Sequence, residues 1–259
     1  MPPIKTYKPG AEIVPPGICI YGRTGTGKTT LVGTMPGNGF LIDTRSIEGG
    51  NFVLEDKADR ITVTDVTSWN EIDDIFWALM KKDKVALPGV DFDKLKWVCI
   101  DSITGMQKLA IRKIIKERDL DADPHQITQN EYGKIGQLIG ELVYRFRTLP
   151  YATVFTAQER KHGGGEDGEP VMMGPDVSPS SLGSLVTSLM LIGRLSVDSE
   201  GKRIMRVQPH SLYVAKSRSK PGKNLPALLE EPNLEVILRY MLGGTKKPRA
   251  AQVSSLVLE

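Results

Sequence analysis

Cysteine is scarce. The 259 residues hold only Cys19 and Cys99, each inside an apolar run. A disulfide scaffold is therefore excluded, and so is a zinc site built on cysteine pairs. Three scattered histidines do not supply metal-ligand spacing either. The expectation is two buried, reduced thiols in neighbouring strands. A charge excess is also lacking: 34 Lys and Arg stand against 31 Asp and Glu, a formal net charge of +3. No global field draws the chain to nucleic acid or membrane, so any basic surface must be local. No apolar run reaches membrane-spanning length. The start, "MPPIKTYKPGAEIVPPG", is broken by proline and lacks the apolar segment of a signal peptide. These absences lead to the expectation of a cytoplasmic protein with no membrane partner.

What is present is an ordinary globular composition, 40% hydrophobic and 25% charged, enough for one large α/β domain. Apolar strand-like runs alternate with amphipathic helical ones. "GICIY", "FLID", "RITVTDV", "KLKWVCID" and "YATVFTAQ" read as strands. Ser68 is placed to cap a helix whose Ile72, Ile75, Phe76 and Leu79 share one face. Ile135, Leu138, Ile139, Leu142, Val143, Phe146 and Leu149 form a second stripe. The segment "ERKHGGGEDGEPVMMGPDVSP" is rich in glycine and charge and reads as a loop. Further strands follow around a turn at "DSEG", and "PNLEVILRYML" reads as a closing helix. No internal repeat is seen. The division expected is an N-terminal arm over 1–16, one domain over 17–243 and a tail over 244–259.

The most informative stretch is "ICIYGRTGTGKTTLV". Three glycines, Gly22, Gly25 and Gly27, weaken any helix or strand they enter. The run Gly22-Arg23-Thr24-Gly25-Thr26-Gly27-Lys28-Thr29 fits G-x-x-x-x-G-K-[ST], the P-loop. Glycines let successive backbone N–H groups turn inward as an anion nest. Lys28 brings a full positive charge to the β- and γ-phosphates, and Thr30 follows in the same helix start. The Thr29 hydroxyl suits magnesium. A strand before and a helix after supply the context that the motif requires. Its acidic partner is expected at the carboxyl end of a buried strand. Asp101 ends "WVCID" and is followed by a polar Ser-Ile-Thr; Asp43, ending "FLID", is the rival.

With these landmarks the chain resembles the RecA-like ATPases, and most of all the compact Sak-type single-strand annealing ATPases of phages. The resemblance runs over roughly residues 16–240. It rests on "GRTGTGKTT", "FLIDTRSIEGG", "KWVCIDSIT", "VFTAQER" and "AKSR" in that order. It implies a RecA-like α/β core, with a mostly parallel central sheet flanked by helices and a late antiparallel strand or hairpin extension. It implies ATP and Mg²⁺ as ligands, and host cytoplasm if a phage encodes the chain. A glutamate that polarises the attacking water belongs just after the second core strand. Here Arg45 occupies the place after "IDT", and Glu48 is the nearest acid. Gln158 falls where the family senses the γ-phosphate. Arg160, Lys161 and His162 fall where its recombinases touch single-stranded DNA, although Glu166, Asp167 and Glu169 follow and stacking aromatics are missing. Lys216 and Arg218, in "KSR", match cations that reach a neighbouring subunit's ATP.

The function so implied is an ATP-dependent protein that binds single-stranded DNA for annealing or recombination. It would hydrolyse ATP between its own protomers in a ring or filament, with a single-strand-binding protein as a further partner. Two other classes fit the same core: an ATP-binding regulatory or assembly module with little turnover, and a small helicase or helicase loader.

Overall fold

The computed structural model describes residues 14–44, 50–118, 127–163 and 171–251. Its centre is a nine-stranded sheet. The strands are β1 (Gly17–Tyr21), β2 (Asn38–Asp43), β3 (Ile61–Asp65), β4 (Leu95–Asp101), β5 (Ala152–Ala157), β8 (Leu191–Val197), β9 (Arg203–Arg206), β10 (Lys216–Ser217) and β11 (Leu228–Glu230). Their order is β11-β9-β8-β1-β5-β4-β2-β3, and β10 pairs with the first part of β8. From β3 to β8 every pairing is parallel. β9, β10 and β11 are antiparallel additions at one side. This is the α/β fold expected, including the late antiparallel extension.

Strands buried on both faces read as continuous apolar runs because neither side meets water. The period of two then sorts their side chains between two layers. Cys19, Tyr21, Val98 and Ile100 face the layer of α2 (Trp69–Lys81), α3 (Ile103–Lys116), α4 (Gln129–Arg147) and the shorter α5 (Pro179–Ser188). Ile18, Ile20, Trp97 and Cys99 face α1 (Lys28–Val32) and α6 (Leu234–Met241). Both expected stripes point inward, with Ile72, Leu79, Ile139 and Val143 fully enclosed. Each such side chain contributes about 1.5–3 kcal/mol. Ser68 caps α2 by accepting from the Glu71 N–H, and Thr128 with Glu131 forms a capping box on α4.

Two sequence expectations are corrected. Cys19 and Cys99 are both buried, yet their strands are not neighbours. β5 lies between β1 and β4, and the two thiols enter different layers. Sequence order cannot show that a later strand inserts between two earlier ones. The segment after Gln158 is not a loop at its start. Glu159–His162 (β6) pairs antiparallel with Met172–Pro175 (β7) as a separate ribbon. A polar four-residue strand carries no apolar alternation to announce it. Residues 249–251, within the expected tail, lie along β11 through the Glu230–Arg249 and Ala251–Leu228 backbone bonds. Most of the arm falls outside the described residues.

Candidate functional site

The parallel strands end on one edge, where α/β sheets place their ligands. β1 opens there into the P-loop. Gly25 and Gly27 adopt φ of +84° and +86°. That left-handed conformation costs an L side chain about 1–2 kcal/mol, which explains glycine at both positions. Lys28 is buried, at 7% exposure. Its ammonium donates to the carbonyls of Gly22 and Arg23, both at 2.9 Å, and lies 3.4 Å from Gln158 Oε1. The lysine is thus folded back over the loop.

The Thr29 hydroxyl donates to Asp101 Oδ2 at 2.6 Å. Thr156, from the intervening strand β5, donates to Asp101 Oδ1 at 2.5 Å. The carboxylate is 1% exposed and oriented on both oxygens. Asp43 is the register partner of Asp101 and is also buried, but the Thr29 hydroxyl bonds Asp101. Hydroxyl and carboxylate oxygens side by side fit a small, hard divalent cation that keeps phosphate oxygens and waters among its ligands. Among the described residues no group of three or more His, Cys, Asp or Glu forms a cage made of protein alone.

Gln158 ends β5 and faces the loop. Its Oε1 also accepts from Thr24 Oγ1 at 3.2 Å. Its backbone is fixed by Thr104, whose hydroxyl accepts from the Gln158 N–H at 3.1 Å and donates to the Asp176 carbonyl. The polar Ser-Ile-Thr after Asp101 therefore has two tasks: Ser102 caps α3, and Thr104 positions Gln158.

Other expected residues lie elsewhere. Glu48 and Arg45 fall outside the described residues. Arg160 and Lys161 are exposed on β6, but His162 is buried, with Nε2 2.9 Å from the Pro175 carbonyl. It is packed into the ribbon and not offered to a strand of DNA. Lys216 and Arg218 stand at the other edge of the sheet. Lys216 pairs with Ile192 near the start of β8, and the Arg218 N–H bonds the Met190 carbonyl at 2.9 Å. The Lys216 ammonium donates to the Val186 carbonyl. Burial, and then the Arg218 charge, lower its pKa. Neither cation reaches the P-loop of its own protomer.

Two cavities flank the P-loop. One of about 400 Å³ contains Lys28, Thr29 and Thr30, with Phe52 and Arg203 at its sides. The other, about 470 Å³, lies beyond Arg23 and Thr24 and is walled by Glu159, Arg194, Arg206 and Tyr213. Of the two, the first holds Lys28 and Thr29, while the second borders Thr24, Gly25 and Thr26 of the same loop. In the second, the buried carboxylate of Glu159 takes Arg194 Nε at 2.5 Å and Arg23 Nε at 3.7 Å. The Arg194 guanidinium lies 4.3 Å from the Tyr213 ring centroid. The residue next to Gln158 thus ties the P-loop tip to β8. Sequence reading missed Thr156, Glu159, Phe52 and Arg203. Thr156 left a signal, a hydroxyl inside a buried apolar run.

A buried P-loop lysine, a threonine–aspartate pair and a strand-end glutamine on the carboxyl edge of a parallel sheet define a P-loop nucleotide-binding protein. A family profile described as AAA domain (AAA_24) matches residues 15–219, and the chain belongs to that family. Among solved structures it is similar to a KaiC-like protein from the hyperthermophilic archaeon Pyrococcus horikoshii. The identity is 16%, over 74% of this chain and 77% of that one, with a TM-score of 0.39. No curated protein matches the sequence. No helix among the described residues is long and apolar enough to cross a membrane.

Proposed function

We propose that the protein is a Mg-ATP hydrolase of the Sak type that binds single-stranded DNA for annealing or recombination and works as an oligomer. The observation that carries this reading is the Lys28–Gln158 contact above the Thr29–Asp101 pair. A triphosphate offers Lys28 anionic oxygens in place of the loop carbonyls of Gly22 and Arg23, and charge-assisted bonds are the stronger ones. Thr29 and Asp101 would hold magnesium, which would neutralise charge on the phosphates. Glu48 orients the water. Gln158 turns with the γ-phosphate and moves Glu159 and the β6–β7 ribbon, which carries Arg160 and Lys161 toward the DNA backbone. Lys216 and Arg218, on the far edge, serve the site of a neighbouring protomer. A ring or filament brings the two edges together, and a single-strand-binding protein acts upstream on the same DNA.

A second reading follows from Arg45, which stands where the resemblance places an acid. In that reading the protein binds ATP to assemble or regulate and hydrolyses little. The test is ATP turnover with and without single-stranded DNA, beside salt-dependent DNA binding with an ATP analogue. DNA-stimulated turnover that vanishes in Lys28→Ala supports the first reading. ATP binding without DNA-stimulated turnover supports the second. DNA binding without salt dependence removes phosphate contacts from the account.

A further inference from the structure

Arg203 is the first residue of β9, which sequence order places far from the P-loop. Its guanidinium nonetheless lies over the loop. A Cβ built on Gly27 would fall 2.5 Å from Arg203 Nε and 3.2 Å from Nη2. Arg203 shares the cavity of Lys28, Thr29 and Thr30.

The backbone of Arg203 is fixed on both sides by one residue. Its N–H donates to Glu231 Oε1 at 2.8 Å, and its carbonyl accepts the Glu231 N–H at 2.8 Å. Glu231 itself is held at φ +44°, an uncommon region for a side-chain-bearing residue. The acids nearby are therefore engaged elsewhere. Glu231 takes the backbone, and Glu230 pairs with Arg249 at 3.2 Å and Lys202 at 3.9 Å. Among the described residues the Arg203 guanidinium makes no hydrogen bond and no ion pair. Arg194, by contrast, is matched by Glu159. A half-buried cation left without an anion, on a locked backbone and facing a phosphate cradle, is complementary to an anionic ligand.

We propose that Arg203 binds the polyphosphate chain of the nucleotide, supplied by the same protomer as the P-loop. The inference rests on the reading that this loop holds a nucleoside triphosphate. A magnesium-bound triphosphate keeps more negative charge than one lysine cancels, and the planar guanidinium grips phosphate oxygens in pairs. Arg203 thereby sets affinity before any neighbour docks, and Lys216 and Arg218 then act across the interface.

The test is titration calorimetry of the full chain with Mg-ATP and, separately, inorganic tripolyphosphate. Arg203→Ala is expected to weaken both by about tenfold or more. Arg203→Lys should recover part of the loss, because it keeps the stem and the charge. Both backbone bonds to Glu231 survive these changes, so the ligand-free melting temperature should stay near that of the wild type. Arg203→Ala binding both ligands as the wild type does would overturn the inference. So would a loss confined to ATP, which would put the guanidinium on the base or ribose. If the wild type binds neither ligand, or Lys28→Ala binds as well as the wild type, the nucleotide reading itself falls, a separate result.

Discussion

Gln158 Oε1 stands 3.4 Å from the Lys28 ammonium, joining the end of β5 to the phosphate cradle. The same oxygen accepts from Thr24, so one amide touches the P-loop at two points. A γ-phosphate arriving at Lys28 competes with that oxygen for the ammonium, and the next residue is Glu159. Replacing Gln158 with Ala should therefore affect turnover more than binding. ATP affinity is expected to fall about two- to tenfold, the loss of a neutral hydrogen bond. Hydrolysis is expected to fall about a hundredfold, as for a lost donor to developing charge. Single-turnover kinetics beside equilibrium binding separate the two. Equal losses in both would remove the sensing role.

Thr29 and Asp101 should behave as one unit. Each single change, Thr29→Ala or Asp101→Asn, is expected to lower Mg-ATP hydrolysis about ten- to a hundredfold. The double variant should be no worse than the poorer single one, a coupling of about 1.4–2.7 kcal/mol. Strict additivity in the cycle would mean that the 2.6 Å bond has no part in organising the site.

The position of Lys216 and Arg218 at the far edge makes a prediction about assembly. Arg218→Ala should keep ATP binding and lose hydrolysis by about a thousandfold, the scale of an arginine finger. Mixing it with Lys28→Ala should restore turnover. In mixed oligomers some sites pair an intact P-loop with an intact neighbour. Mixtures as inactive as either variant alone would count against a role in trans.

An acid-sensitive element sits away from the site. Glu131 caps α4 and pairs with Arg118, which, with the Thr128 backbone, holds its carboxyl at about 2, against an ordinary 4.5. A folded-state pKa below the unfolded one adds stability above the unfolded value, lost as pH falls through the folded one. Glu131→Gln should therefore lower the melting temperature at neutral pH. The gap from wild type should close as pH falls from about 4.5 toward about 2. Thermal melts across that window would show it; a gap independent of pH would place the effect in packing.

The sheet and the phosphate cradle were legible because their residues are consecutive. Gly22 to Thr29 is one run between a strand and a helix, and Asp101 closes an unbroken apolar strand. Gln158 could be placed because it ends another such strand. The rest depends on pairing between distant strands. Arg203 meets Gly27 only because β9 lies two strands from β1 beyond β8. The β6–β7 ribbon could not be read because its first strand, Glu-Arg-Lys-His, has the composition of a loop. The separation of Cys19 from Cys99 follows from β5 inserting between β1 and β4, which no local pattern encodes.

That separation makes the two thiols a natural pair of reporters. Each is sealed in a different layer, and burial pushes the Cys19 thiol well up, so neither reacts until its own side opens. Labelling during slow denaturation, read by peptide mass, would time the exposure of each flank of the sheet. Simultaneous modification would mark a single melting unit. Earlier modification of Cys99 would mean that the thin cover of α1 and α6 peels first, dismantling the nucleotide cradle while the three longer helices opposite still hold.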